Sequence, residues 1–148
     1  MAQTVTRKDF LKTAGAATAA MAAAAEAVEA GSNAIIIDKM GIWGGNSSLN
    51  GGDMAAVGTP LQIEAGVEDS PELMVADMLR AGKYYNHVEK VQTLVENSAA
   101  AVEYLEGLGV EFTKLNFHGG HSVPRTNTTV NATGRDITSA QAAYLEDT

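Results

Sequence analysis

The run Ile35-Ile36-Ile37 ends on Asp38, and the residues that follow, "KMGIWGGNSSLNGGDM", hold five glycines. This junction constrains the fold more than any other stretch. A short β-branched run bounded by turn residues reads as a buried strand of a parallel sheet. An acid that closes such a strand sits at the carboxyl edge, where open α/β sheets bind ligands. Gly44 and Gly45 let backbone pass close to a flat or phosphorylated ligand and present bare N–H groups. Asn46, Ser47 and Ser48 add short donors, and Gly51-Gly52 allow a second close approach. A single Gly-Gly is most often only a turn. Strand, acid, GGNSS and GG in succession point to a nucleotide site.

Upstream, "GAATAAMAAAAEAVEAGSNAIIIDK" can be laid on the βαβ dinucleotide fingerprint. Gly15, Ala17 and Ala20 take its three glycine positions, a helix covers residues 16–30, Gly31 caps it, and residues 33–37 form the second strand. Asp38 then lies 23 residues after Gly15, close to the spacing of an acid that meets ribose hydroxyls. The first half of the motif is damaged, because Ala methyls at two glycine positions obstruct the approach of pyrophosphate. "TRKDFLKTA" is also too charged for a buried strand.

The same region carries a second reading. Arg7, Lys8 and Lys12 precede an Ala-rich stretch, the layout of an export signal over residues 1–25. "TRKDFLK" resembles a twin-arginine signal, with Lys8 where the second Arg is expected. The two residue types are not equivalent where paired contacts are read. The competing reading is an Ala-rich helix over residues 13–30, since Ala is the best helix former.

Bulk properties fit one ordinary domain of 148 residues, 45% apolar with mean hydropathy −0.05. A net charge of −8 and a pI near 4.7 argue against nucleic acid, whose backbone calls for a basic face. There is no cysteine, hence no disulfide, thiolate nucleophile or thiolate metal site. No apolar run in the sequence is long enough to span a bilayer.

The middle of the chain reads as scaffold. Asp69 or Ser70 caps a helix with Pro71 in its first turn that ends near Gly82. A second helical stretch starts near His87, with Val88, Val91, Leu94, Val95, Val102 and Leu105 at helical period and a break at Asn97-Ser98. Residues 110–112 are a short strand, and "ITSAQAAYLEDT" opens another helix. In "FHGGHSVPRTN", His118 and His121 with no third ligand make a weak metal signal. A surface loop with local hydrogen bonds is the equal alternative.

These motifs together resemble the FAD-binding domain of the fumarate reductase and succinate dehydrogenase flavoproteins, in the soluble branch of flavocytochrome c and urocanate reductases. The matching residues are Asp38-Lys39, Gly44-Gly45-Asn46-Ser47, Gly51-Gly52 and Met54-Ala55. They continue through "EDSPELMVADMLRAGKYYNHVEK" and on to "HGGHSVPRTN" and "ATGRDI". The resemblance implies an α/β fold, here a partial Rossmann-like FAD-binding domain with an inserted helical segment and an incomplete parallel sheet over residues 26–148. It implies FAD as cofactor. Asp38 would hold the adenosine ribose. Asn46 and Ser47 would contact the pyrophosphate or the flavin side, and Gly45, Gly51 and Gly52 would line the isoalloxazine. Trp43 either covers the cofactor or fills a hydrophobic gap. Gly120, His121 and Ser122 would approach the ring, with Arg125 structural or electrostatic.

In that family, hydride passes from reduced flavin to an activated C=C bond and an Arg supplies the proton. Neither Arg125 nor Arg135 has the context of that Arg, so no residue here receives a catalytic role, and none a metal-binding role. The expectation is therefore the N-terminal portion of an oxidoreductase, incomplete at both ends. Its substrate would be a small unsaturated carboxylate, its electron donor a separate protein, and its route export with FAD already bound. The alternative is a non-catalytic remnant that does not hold FAD tightly.

Overall fold

The computed structural model describes residues 18–37 and 43–147. Helix α1, Thr18–Glu29, forms from the Ala-rich stretch. It ends where Gly31 turns left-handed at φ 81°, with the Ser32 amide donating back to the Ala27 carbonyl. Residues 32–37 then run extended with alternating sides: Ile36 is buried, Ile35 and Ile37 face outward. The parallel pairing expected for residues 33–37 is not present among the described residues. Asp38 lies outside them.

A 3-10 turn, Gly45–Leu49, leads into strand β1, Asp53–Ala55. Helix α2, Pro60–Glu64, is a single turn started by Thr59 and Pro60. Helix α3, Pro71–Ala81, opens with Ser70 as cap, its hydroxyl accepting the Leu73 amide at 3.1 Å, and stops at Gly82. Helices α4, Val88–Glu96, and α5, Ser98–Gly107, meet at Asn97. Strand β2, Phe112–Asn116, strand β3, Thr126–Thr129, and helix α6, Gly134–Asp147, complete the order.

The described sheet has the order β1-β3-β2, and both pairings are antiparallel. Asn127 of β3 stands opposite Met54 on one side and Leu115 on the other. Every residue of β3 is buried although all four are polar. Thr suits a central strand by its β-branching; the hydroxyls of Thr128 and Thr129 find partners, while that of Thr126 has none among the described residues. Asn116 donates to the Thr128 hydroxyl at 2.7 Å, and that hydroxyl donates to Asp53.

Three apolar clusters hold these elements. The first joins Met21, Ala24 and Ala25 of α1 to Ile36 and to Ala142 and Leu145 of α6, with Trp43 and Tyr144 packed on it. Trp43 therefore fills an apolar gap. The second gathers Ala56, Val102, Leu105, Val110 and Phe112. The third, Met74, Val91 and Val95, locks α3 to α4. Of the periodic positions of α4 and α5, Val91, Val95, Val102 and Leu105 bury as their 3.6 spacing predicts, while Val88 and Leu94 are exposed.

Candidate functional site

The Gly-rich turn is built from its contacts with β3 and α6. Gly44 is left-handed at φ 84°, and the Ser47 amide closes the turn on its carbonyl at 2.9 Å. The Ser48 hydroxyl lies 2.9 Å from the Trp43 carbonyl and 3.2 Å from the Thr138 hydroxyl of α6. The Thr133 hydroxyl donates to the Ser48 carbonyl at 3.2 Å, and the Gly134 amide to the Asn50 carbonyl at 2.9 Å. Gly134 has to be glycine, because a Cβ there would collide with the Ser47 carbonyl. Gly52, left-handed at φ 67°, is seated against Thr129, and a Cβ would come within 2.6 Å of the Thr133 carbonyl. The close approach that Gly52 permits is therefore with β3 and its following turn.

The outer face of the same turn is different. Gly45 is left-handed at φ 50°, and a Cβ on it would meet nothing within 4 Å. Asn46 is exposed, and its side chain makes no hydrogen bond with another described residue. Ser47 is half-buried and Gly51 exposed. Of the sequence-predicted site residues, Gly45, Asn46, Ser47, Gly51 and Gly52 thus come together on one turn and its exit. Open space over Gly45, an exposed Asn46 side-chain amide without a partner among the described residues, and small residues on that outer face fit a large polar ligand such as a dinucleotide.

A cleft of about 660 Å³ opens beyond β1, walled by Met54, Ala55, Met74, Met78, Leu94 and His121. Its size and apolar lining are those of a small-molecule site. It joins the strand that follows Gly51-Gly52 to the loop that carries His121. Burial, then the positive charge of Arg125, push the His121 imidazole below its usual range. The nearby Asp77 and Asp69 carboxylates pull the other way, and His118 lowers it further. Nδ1 of His121 is buried with no partner among the described residues. No group of three or more His, Asp or Glu side chains gathers there as a metal ligand set among the described residues.

The loop's anchor was not legible as a site. Arg125 is fully buried between two carboxylates. Its Nε and Nη2 meet Asp69 at 2.9 and 2.8 Å, and its Nη1 meets Asp77 at 2.9 Å. Gln62 of α2 donates to Asp69 and to the Pro124 carbonyl, both at 2.9 Å. Burial raises the Asp77 carboxyl, but hydrogen bonds from the Ser122 hydroxyl and amide, with the charge of Arg125, outweigh it and hold it at about 2. A carboxyl depressed on folding adds stability above its unfolded value, and that stability is lost as pH falls from about 4 toward 2. One signal in the sequence could have found this cluster. Met74, Asp77, Met78 and Ala81 share a helix face by their spacing, and an acid on a buried face needs a cation.

Turn, cleft and helical layer belong to a mixed domain of helices and a small antiparallel sheet, with a turn of small residues on one side. Residues 14–146 match the FAD binding domain family. The chain is 41% identical over 113 residues to a probable fumarate reductase of Shewanella frigidimarina, covering 76% of this chain and 19% of that protein. It is 40% identical over 126 residues to the acrylate reductase flavoprotein subunit of Shewanella woodyi, covering 84% of this chain and 25% of that protein. The structure superimposes on the open conformation of a flavocytochrome c3 fumarate reductase with TM-score 0.86 and 35% identity, over 91% of this chain and 24% of that one. The chain belongs to the FAD binding domain family, and FAD is the cofactor that membership assigns. It spans a quarter or less of the length of these relatives.

Proposed function

We propose that this chain forms part of the FAD site of an oxidoreductase that reduces the activated C=C bond of a small unsaturated carboxylate. The relatives named for fumarate and acrylate have in common a double bond conjugated to a carboxylate. In this reading Asp38 accepts hydrogen bonds from the adenosine ribose, Asn46 and Ser47 hold the pyrophosphate or the flavin side, and Gly45 and Gly51 lie along the ring together with the backbone of Gly52, whose α-carbon is packed on β3. Bound and reduced, FAD supplies the hydride. The observation that carries the reading is the turn itself: its inner face is filled by β3 and α6, while its outer face keeps Asn46 and the space over Gly45 open.

The finer architecture belongs to the same proposal. Residues 26–148 would be a portion of a Rossmann-like domain with an incomplete parallel sheet. The left-handed cap at Gly31, followed by residues 33–37 with Ile36 turned inward, supports a helix-to-strand crossover. Export through a twin-arginine-like segment at residues 1–25 would place the protein in the periplasm or cell envelope, with an electron-donor protein as partner. No described helix is long and apolar enough to cross a membrane. Helix α1 bears on this, because Met21, Ala24 and Ala25 are part of its packed cluster and removal at residue 25 would strip them away.

A second reading is a non-catalytic remnant that does not hold FAD tightly. Two of the described arginines favour its non-catalytic part: Arg125 is buried between two acids and Arg80 is paired with Asp77, whereas Arg135 is exposed. Neither Arg125 nor Arg80 can pass a proton to a substrate while so held. Titration of the chain with FAD, read by flavin fluorescence, tests both readings. Asp38→Ala is expected to weaken binding about tenfold or more, as loss of a charged acceptor would. Equal binding would remove Asp38 from the site, and no uptake by the native chain would overturn the proposal.

A further inference from the structure

Asp77 lies on the buried face of α3 between Met74 and Met78, two of the side chains that wall the cleft. All its acceptor directions are taken. Oδ1 receives the Ser122 hydroxyl at 2.5 Å and Nη2 of Arg80 at 2.6 Å. Oδ2 receives the Ser122 amide at 2.7 Å and Nη1 of Arg125 at 2.9 Å. Arg80 also reaches the Gly120 carbonyl and the Ser122 hydroxyl, each at 3.3 Å. One carboxylate therefore fixes both polar groups of the residue that follows His121.

The turn has little else to hold it. The His121 amide donates to the His118 carbonyl at 3.2 Å, and Gly120 is left-handed at φ 91°. Phe117, His118, Gly119 and Gly120 are all exposed. Two glycines give the backbone many conformations, so the position of His121 has to be set from outside the turn.

We propose that Asp77 is a positioning residue, which clamps the amide and hydroxyl of Ser122 so that the His121 ring is held as one wall of the cleft. The assignment rests on these contacts alone, and it stands or falls independently of FAD binding. The charged groups that face His121 are Arg125, Asp77, Asp69 and His118; Arg80 stands beside Ser122, and Asp53 lies on the cleft.

The exposed partner carries the test, because Ser122→Ala leaves the Asp77–Arg125 pair intact and the fold in place. The His121 ring is titrated by NMR in the full chain, alongside amide exchange at position 122. In the native protein the midpoint is expected below the ordinary histidine value of about 6.5. In Ser122→Ala, which deletes the hydroxyl's bond to Asp77 and keeps the amide's, the midpoint should rise toward that value as the ring gains water, and the residue-122 amide, held by half of the clamp, should exchange several-fold faster. Ser122→Thr, which keeps the hydroxyl, should restore both. A midpoint and exchange rate unchanged in Ser122→Ala, or a Thr variant that behaves like Ala, would overturn the assignment.

Discussion

The two glycine-bearing loops of this domain are anchored in opposite ways. The turn from Gly44 to Gly52 is held by neutral contacts: backbone amides, Ser and Thr hydroxyls, and glycines pressed against β3 and α6. The loop from Phe117 to Arg125 is held by charge, through Arg125, Asp69, Asp77 and Arg80. A neutral seat spreads its energy over many small terms, and its outer face stays free for a ligand. A buried ionic anchor concentrates energy in a few groups that cannot be removed singly. The first construction tolerates a change on its open side, while the second tolerates none at its centre.

The strongest way to break this contrast is Arg125→Ala. It leaves Asp69 and Asp77 buried without their cation, and the expected cost is about 3–5 kcal/mol in urea denaturation. A loss below about 1 kcal/mol would mean that water replaces the guanidinium and that the anchor is not ionic in effect. The contrast inside the neutral turn is next in size. Gly52→Ala combines left-handed strain with a Cβ pressed on Thr129 and the Thr133 carbonyl, and roughly 3 kcal/mol is expected. Gly45→Ala has the strain but open space, so about 1 kcal/mol is expected. Equal costs at the two positions would show that the inner face of the turn is not seated as described.

Local chemistry explains what was legible. Ser70 with Pro71, the helical spacing from Val88 to Leu105, and Gly31 after an Ala-rich run each write their element into a few neighbouring residues. Glycines and short polar residues at 44–52 marked the turn for the same reason. What escaped depends on contacts distant in the chain. Nothing in "TNTT" announces a central strand, because its burial comes from β1 and β2 on either side. Helix α2 was missed although Thr59-Pro60 is a regular start, since a single turn carries no period to detect. The described sheet is antiparallel and built from other residues than Ile35-Ile36-Ile37, whose expected parallel pairing is not tested by the described residues. A run's composition gives its affinity for strand geometry and does not name its partner.

The smallest effect tests whether the ionic anchor ends where the local cap begins. Ser70 stands between the two kinds of support: its hydroxyl caps α3, and its amide donates to Oδ1 of Asp69 at 2.9 Å. Ser70→Ala removes the hydroxyl and keeps the amide. If the cap is a local device, the cost is about 1 kcal/mol, and amide exchange quickens in the first turn of α3 while the region around Arg125 keeps its protection. If the cost instead approaches that of Arg125→Ala, the cap and the buried charges act as one unit. The loop would then be fixed by the start of α3 as much as by the carboxylate halfway along it, and the division between neutral and charged anchoring would no longer follow residue chemistry.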